Sequence, residues 1–330
     1  MNNQLNFLRF FAAFLVLYGH GYVLYGLTPN TILSHTLGLA MFFSISGYLI
    51  SYSWDRDPSF KRYFARRSLR IFPALIIMLL ITTLLLGPIV TTLPISEYFS
   101  SSITWYYILN NSFLHIQYYL PGVFENAHVK NAMNGSLWSL PVEFFCYILV
   151  AAIGFIFRKK AKYLALLLLI ITIILTLAWD HLFKSQIVFY YTDVHSAVIV
   201  SCFFWMGATL HHFKLNKLFS FEGFVIGLLI IIFMYQFNNN ILNEILKIII
   251  LPYLVLAFGF SNANKLSIFN KADYSYGIYI YAFPIQQSII YIFPNLSFTM
   301  YMITSAFCTL AMSVFSWHCI EKHILKYKPK

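Results

Sequence analysis

Arg9 and His20 stand eleven residues apart in the first apolar stretch of the chain. At about 100° per residue that spacing makes three turns plus about 20°, so a helix carries both on one face, about 16 Å apart. A neutral imidazole is the natural general base near pH 7, which makes His20 a candidate base and Arg9 its charged companion. The plainer alternative is a snorkelling arginine and a hydrogen-bonded structural histidine. Glu143 is equally isolated, lying between Trp138-Ser139-Leu140-Pro141-Val142 and Phe144-Phe145-Cys146-Tyr147. Ionisable residues inside a bilayer are costly and usually functional. His20 and Glu143 each lie about six residues from one end of their apolar runs, or about 9 Å deep. A carboxylate at the depth of a lone histidine can orient and polarise it. A neutral acid bonded to the backbone is the alternative.

Other groups are weaker on their own. Arg66, Arg67 and Arg70 precede Pro73, with Lys61 and Arg62 beside them. An arginine fork grips phosphate bidentately, so the cluster suits the phosphates of a nucleotide-like donor, or else simple anchoring to anionic lipid. Ser46 and Gly47, within Phe42-Phe43-Ser44-Ile45-Ser46-Gly47, allow close approach of a slender ligand or of another helix. Asp273 reads as a helix N-cap and Glu321 as an interfacial ion-pair partner. His211-His212 and His323 show no HExxH-like spacing, so no metal site is expected. No glycine-rich phosphate cradle is present.

The elements that must position these residues follow from composition. Of 330 residues, 60% are apolar and only 10% charged, and mean hydropathy is +0.72. So few charges cannot cover a soluble globular surface, and disorder requires low hydrophobicity. The class that remains is an all-α polytopic membrane protein. With about 20 residues per crossing, ten spans are expected: 4–26, 35–53, 71–92, 137–157, 162–180, 195–212, 218–236, 241–260, 273–293 and 297–319. The first carries Arg9 and lacks a small-residue cleavage site, so it reads as a retained span. The whole of 1–330 is expected to be one integral-membrane domain.

Charge sets the orientation. The net charge is +11, from 22 Lys and Arg against 11 Asp and Glu. With both termini inside, nineteen of the 22 basic residues fall on the inner side. Lys130 and Lys184 are outside, and Lys247 lies within a span. The acids divide five and five, with Glu143 in a span. A basic bias with indifferent acids matches the positive-inside rule, so the excess reports topology rather than nucleic-acid binding. The outer loop 93–136 is aromatic and nearly uncharged, and its 103–109 stretch is a candidate half-buried or re-entrant segment. The four cysteines fall in apolar runs and read as small buried hydrophobes.

Several of these motifs occur together. They are Leu8-Arg9-Phe10-Phe11-Ala12-Ala13 with His20; Phe42-Phe43-x-x-Ser46-Gly47-Tyr48-Leu49-Ile50; Arg66-Arg67-x-x-Arg70-Ile71-x-Pro73; Ser136-Leu137-Trp138-Ser139-Leu140-x-x-Glu143-x-x-Cys146-Tyr147; and Asp273-x-Ser275-Tyr276-x-x-Tyr279. In this order, the chain resembles the acyltransferase-3 family of integral-membrane acyltransferases. The resemblance implies transfer of an acyl group, most often acetyl, from cytoplasmic acyl-CoA to a hydroxyl of an exported or lipid-linked glycan, at the bacterial inner membrane. It implies essential roles for Arg9 and His20, CoA binding by Arg67 and Arg70 with Arg66 beside them, and a site carboxylate in Glu143. A stand-alone enzyme is expected, without a fused SGNH-type domain. Two departures stand out: Pro141-Val142 before a single Glu143, where many members have two acids, and His35-Thr36-Leu37-Gly38 at the start of the second span.

The expected scheme joins these parts. CoA docks on the inner arginines, its arm passes Ser46 and Gly47, and His20, oriented by Glu143, deprotonates the acceptor. Trp138, Trp105 and Tyr147 are the candidate acceptor-binding aromatics. The rival expectation is a transporter or flippase of a lipid-linked glycan, without chemistry.

Overall fold

The computed structural model describes residues 4–28, 34–234, 240–261 and 272–329. Three of the basic residues used for orientation, Lys265, Lys271 and Lys330, lie outside the described residues. The chain is an all-α polytopic membrane protein. Its helices are α1 Leu5–Tyr25, α2 His35–Arg56, α3 Phe60–Ile81, α4 Gly87–Val90, α5 Ile95–Ser100, α6 Ser102–Ser112, α7 Ser139–Phe157, α8 Ala161–Leu182, α9 Val194–His212, α10 Phe221–Met234, α11 Asn240–Phe260, α12 Ser275–Ile292, α13 Phe298–Ser316 and α14 Lys322–Ile324. One small hairpin pairs β1 Val188–Phe189 with β2 Thr192–Asp193.

A helix stands at each of the ten expected positions. Seven helical stretches among the described residues are long and apolar enough to cross a membrane: Leu5–Tyr25, His35–Arg56, Phe60–Val90, Ser139–Leu182, Val194–His212, Ile241–Phe260 and Phe298–Tyr327. Ser139–Leu182 contains two expected spans, α7 and α8, joined by a tight turn at Arg158–Lys160. The chain sorts into two compact units, neither of them continuous in sequence.

The first unit comprises Met1–Ala12, Leu39–Tyr63 and Val142–Ala272. Here α8 packs on α9, α10 on α11, and α11 on α9. Helices α2 and α9 meet backbone to backbone. A Cβ on Gly47 would strike the Phe204 carbonyl, and one on Gly207 would strike the Ser44 carbonyl. Gly47→Ala is therefore expected to destabilise the protein by about 1–3 kcal/mol, read as a lower melting temperature in detergent. The start of α9 is capped by Asp193, whose Oδ2 accepts from the Ser196 backbone N–H at 2.8 Å and from Ser196 Oγ at 2.7 Å. Burial raises the Asp193 pKa, but the bonds from Ser196 and Gln186 outweigh it and hold the carboxyl below its ordinary 3.8. The resulting stabilisation is present above the ordinary value and is lost as pH falls through the lowered one. Asp193→Ala is expected to cost about 1 kcal/mol at neutral pH, with the deficit shrinking in melts run below pH 3.8.

The second unit comprises Ala13–Gly38, Phe64–Pro141 and Asp273–Lys330. Its most buried helix is α12, which packs on α13 with Gly277 against Ser313. Pro284 lies inside α12 and cannot donate to the carbonyl of Ile280, four residues back. Asn134 supplies the missing donor, its Nδ2 lying 2.9 Å from that carbonyl. Asn134 Oδ1 in turn accepts from the Ser136 backbone N–H at 3.0 Å. A proline in a buried helix thus fixes the loop that carries Ser136.

Candidate active site

His20 lies on the part of α1 belonging to the second unit and is half-buried. The ring of His35 stacks on it, with centroids 5.2 Å apart. Phe283 meets it edge-on at 5.4 Å. The stack is possible because His35 backbone atoms occupy the face of Gly19 where a Cβ would stand. Ser136 Oγ lies 3.4 Å from His20 Nδ1. Ser136 is buried and fixed at both ends of its backbone. Its N–H goes to Asn134, and its carbonyl accepts from Tyr279 Oη at 2.5 Å. Since Tyr279 has one proton and gives it to that carbonyl, Ser139 Oγ, 2.6 Å away, donates to Tyr279. Gln286 Nε2 adds a bond of 2.9 Å to the Leu17 carbonyl, one turn before His20. Two polar atoms of this cradle, His35 Nδ1 and Gln286 Oε1, are buried with no hydrogen-bond partner among the described residues.

Glu143 belongs to the first unit, on α7. Its Oε1 accepts from Ser46 Oγ on α2 at 2.5 Å and from Tyr147 Oη at 2.6 Å. Tyr147 is one helical turn further along α7, which is why the two side chains meet. Its own carbonyl accepts from Tyr63 Oη at 3.0 Å. Tyr147, expected to bind acceptor, thus holds the carboxylate. Arg9 is half-buried in the same unit. In the same unit, His211 and His212 make imidazole–carboxylate contacts with Asp55, at 2.8 and 3.4 Å.

Arg66, Arg67 and Arg70 are half-buried on α3. Arg70 is held between two carboxylates, with Nη2 2.7 Å from Asp273 Oδ2 and Nη1 2.9 Å from Glu321 Oε2. Its guanidinium also lies 5.7 Å from the centre of the Tyr276 ring. Asp273 uses its other oxygen at the start of α12, accepting from Ser275 N–H at 3.3 Å and Ser275 Oγ at 2.5 Å. Glu321 is an ion-pair partner as expected, whereas the N-cap position of α12 falls to Tyr274 and Asp273 sits one residue before it.

A family model described as an acyltransferase domain matches residues 2–319, almost the whole chain. The chain belongs to the acyltransferase-3 family. Among curated proteins it is 31% identical to an O-acetyl transferase of Shigella phage Sf6 over 324 residues, covering 96% of this chain and 94% of that one. It is 27% identical to nodulation protein 10 of Rhizobium leguminosarum bv. viciae over 358 residues, covering 99% and 94%. No solved structure matches. The acyltransferase-3 membership makes the chain an enzyme and sets aside a transporter without chemistry.

Within this acyltransferase the remaining predicted residues fall as follows. Gly47 admits α9, so its small size serves helix packing. Trp105 is exposed on α6, with Nε1 donating to the Phe99 carbonyl at 2.9 Å. Tyr106, Leu109 and Phe113 are exposed with it, so the 103–109 stretch is helical with an apolar outer face. Trp138 is half-buried. Sequence reasoning missed His35, Phe283 and Gln286 as neighbours of His20. It quoted Ser136, Ser139 and Tyr279 only as motif letters, although the pairing of a serine on each side of Trp138 was a usable signal.

Proposed function

We propose that this acyltransferase moves an acetyl group from acetyl-CoA to a hydroxyl of an extracytoplasmic or lipid-linked glycan, with His20 as general base. The observation that carries the reading is the cradle of His20, a half-buried imidazole whose Nδ1 faces a fixed serine hydroxyl. With Nδ1–H donating to Ser136, Nε2 keeps the lone pair that a base needs. That nitrogen takes the proton of the acceptor hydroxyl as its oxygen attacks the thioester carbon. The carbon–oxygen bond forms, the carbon–sulfur bond breaks, and the proton passes from His20 to the leaving thiolate. The unmet polar atoms on His35 and Gln286 suit a cradle that takes a polar ligand.

In the same proposal Arg66 and Arg67 receive the CoA phosphates. Their donor chemistry fits, and Arg70, to which the family resemblance also points, pairs besides with Asp273 and Glu321. Arg9 keeps the essential part that the family resemblance implies. The orienting part expected of Glu143 rests on its depth in the sequence alone, and Ser136 is the group of His20's own unit suited to fix the ring. Trp105 and Trp138 are proposed to receive the glycan. The placing of basic residues supports ten spans with both termini inside and the bacterial inner membrane as the site of action. The name of the phage relative supports acetyl as the group transferred.

Mass spectrometry of envelope glycans from cells with and without the gene tests the reading. Loss of ester-linked acetyl groups on deletion, restored by wild type, is the expected result. An unchanged acetyl pattern together with no melting shift of the pure protein by acetyl-CoA would overturn it.

A further inference from the structure

We propose that Asp55, His211 and His212 form a divalent transition-metal site that clips the ends of α2 and α9. It is independent of the reaction proposed above. Asp55 is the penultimate residue of α2, and the two histidines are the last two of α9. Nε2 of His211 and Nδ1 of His212 both converge on Oδ2 of Asp55, at 2.8 and 3.4 Å. One ligand atom from each residue lies within 4.8 Å of the others, a spread that a single ion can bridge.

Three features favour a cation there over a bare hydrogen-bonded cluster. Two imidazoles and a carboxylate are a donor set that suits zinc and its neighbours in the first transition row. Both helices present their C-terminal ends, whose carbonyl dipoles favour positive charge. The ring of His211 is packed edge-on against Tyr48 at 5.4 Å and Tyr52 at 5.8 Å, so its orientation is set before an ion arrives. The histidine side chains are 14% and 12% exposed and that of Asp55 46%, which leaves an open side for water to complete the coordination.

The consequence is mechanical. The same two helices meet backbone to backbone at Gly47 and Gly207. Asp55 lies nine residues, or about 13 Å, along α2 from Ser46, which bonds Glu143. A metal clip at the helix ends would fix α2 at a second point and hold Ser46 in place.

The test uses the full chain purified in detergent through a tag without histidine, stripped with EDTA and titrated with Co(II). The expected result is one equivalent of cobalt with intense visible d–d bands, displaced by Zn(II), and a higher melting temperature with either metal. Asp55→Asn and His212→Gln should each weaken cobalt binding at least about tenfold and abolish the melting shift. The EDTA-treated variants should melt with EDTA-treated wild type, showing that the fold is intact. Wild-type cobalt affinity in both variants, or no saturable binding by wild type below about 1 mM, would overturn the proposal and leave adventitious surface binding only. If either variant melts below EDTA-treated wild type, His211→Gln takes its place and is judged by the same criteria.

Discussion

His20→Ala is expected to lower the rate of acetyl transfer by about 10³-fold, inside the range of about 10²–10⁴ typical of a positioned general base. Acetyl-CoA affinity should stay near wild type, because the imidazole is assigned to proton transfer rather than to the donor's phosphates. Ala is a strong helix former, so α1 should persist, and a melt of the variant checks that the fold survives loss of the ring that packs on His35 and Phe283. Ser136→Ala provides the finer test. It removes the hydroxyl facing Nδ1 and frees the ring to adopt either tautomer, so kcat should fall about tenfold with KM for acetyl-CoA unchanged. Ser136→Thr, which keeps the hydroxyl, should recover most of that loss. If Ser136 acted only in packing, the Ala variant would lower the melting temperature and leave kcat per folded molecule unchanged.

Arg70→Ala is expected to fail for a different reason. Glu321 is buried, and Arg70 is its close ion-pair partner at 2.9 Å; Ser316 Oγ donates to its other oxygen. Removing one partner of a buried pair leaves an uncompensated charge, at a cost of about 3–5 kcal/mol. Because the Arg70 side chain is 20% exposed, about 3 kcal/mol is the better figure, enough to remove a large part of a marginal stability. The variant should therefore melt well below wild type and express poorly. Neutralising the set, as Arg70→Met with Asp273→Asn and Glu321→Gln, should restore much of the melting temperature. Arg67→Ala should weaken acetyl-CoA binding, measured by titration of the purified protein with its melt recorded alongside. Inactivity of Arg70→Ala alone would say nothing about donor binding. A melt run beside each titration shows whether lost binding is lost fold.

The helical plan was legible in the sequence because a bilayer crossing has a length and an apolarity that local reading can measure. The expected span 297–319 overlays Phe298–Ser316, and 195–212 overlays Val194–His212. Individual ionisable residues were legible too, since charge is scarce and each one stands out. Their partners were not. Ser136 meets His20 across 116 positions, Arg70 meets Asp273 across 203, and Asp55 meets His211 across 156. Spacing rules work only within one helix, as for Glu143 and Tyr147 four residues apart. Shared depth suggested Glu143 as the neighbour of His20. Within their own units, Glu143 is held by Ser46 and Tyr147, while His20 is faced by Ser136. The small residue Gly47 was compatible with a ligand or a helix, and only the Phe204 carbonyl beside it decides for the helix.

The most direct measurement follows acetyl-labelled acetyl-CoA into a glycan. Purified chain is reconstituted with a lipid-linked glycan from its host, and label in the glycan is counted over time. Wild type should transfer label as a base-labile ester, and His20→Ala should transfer less than about one hundredth as much. Transfer by His20→Ala at the wild-type rate, or no transfer by a folded wild type that binds both substrates, would contradict a His20-dependent acetyltransferase.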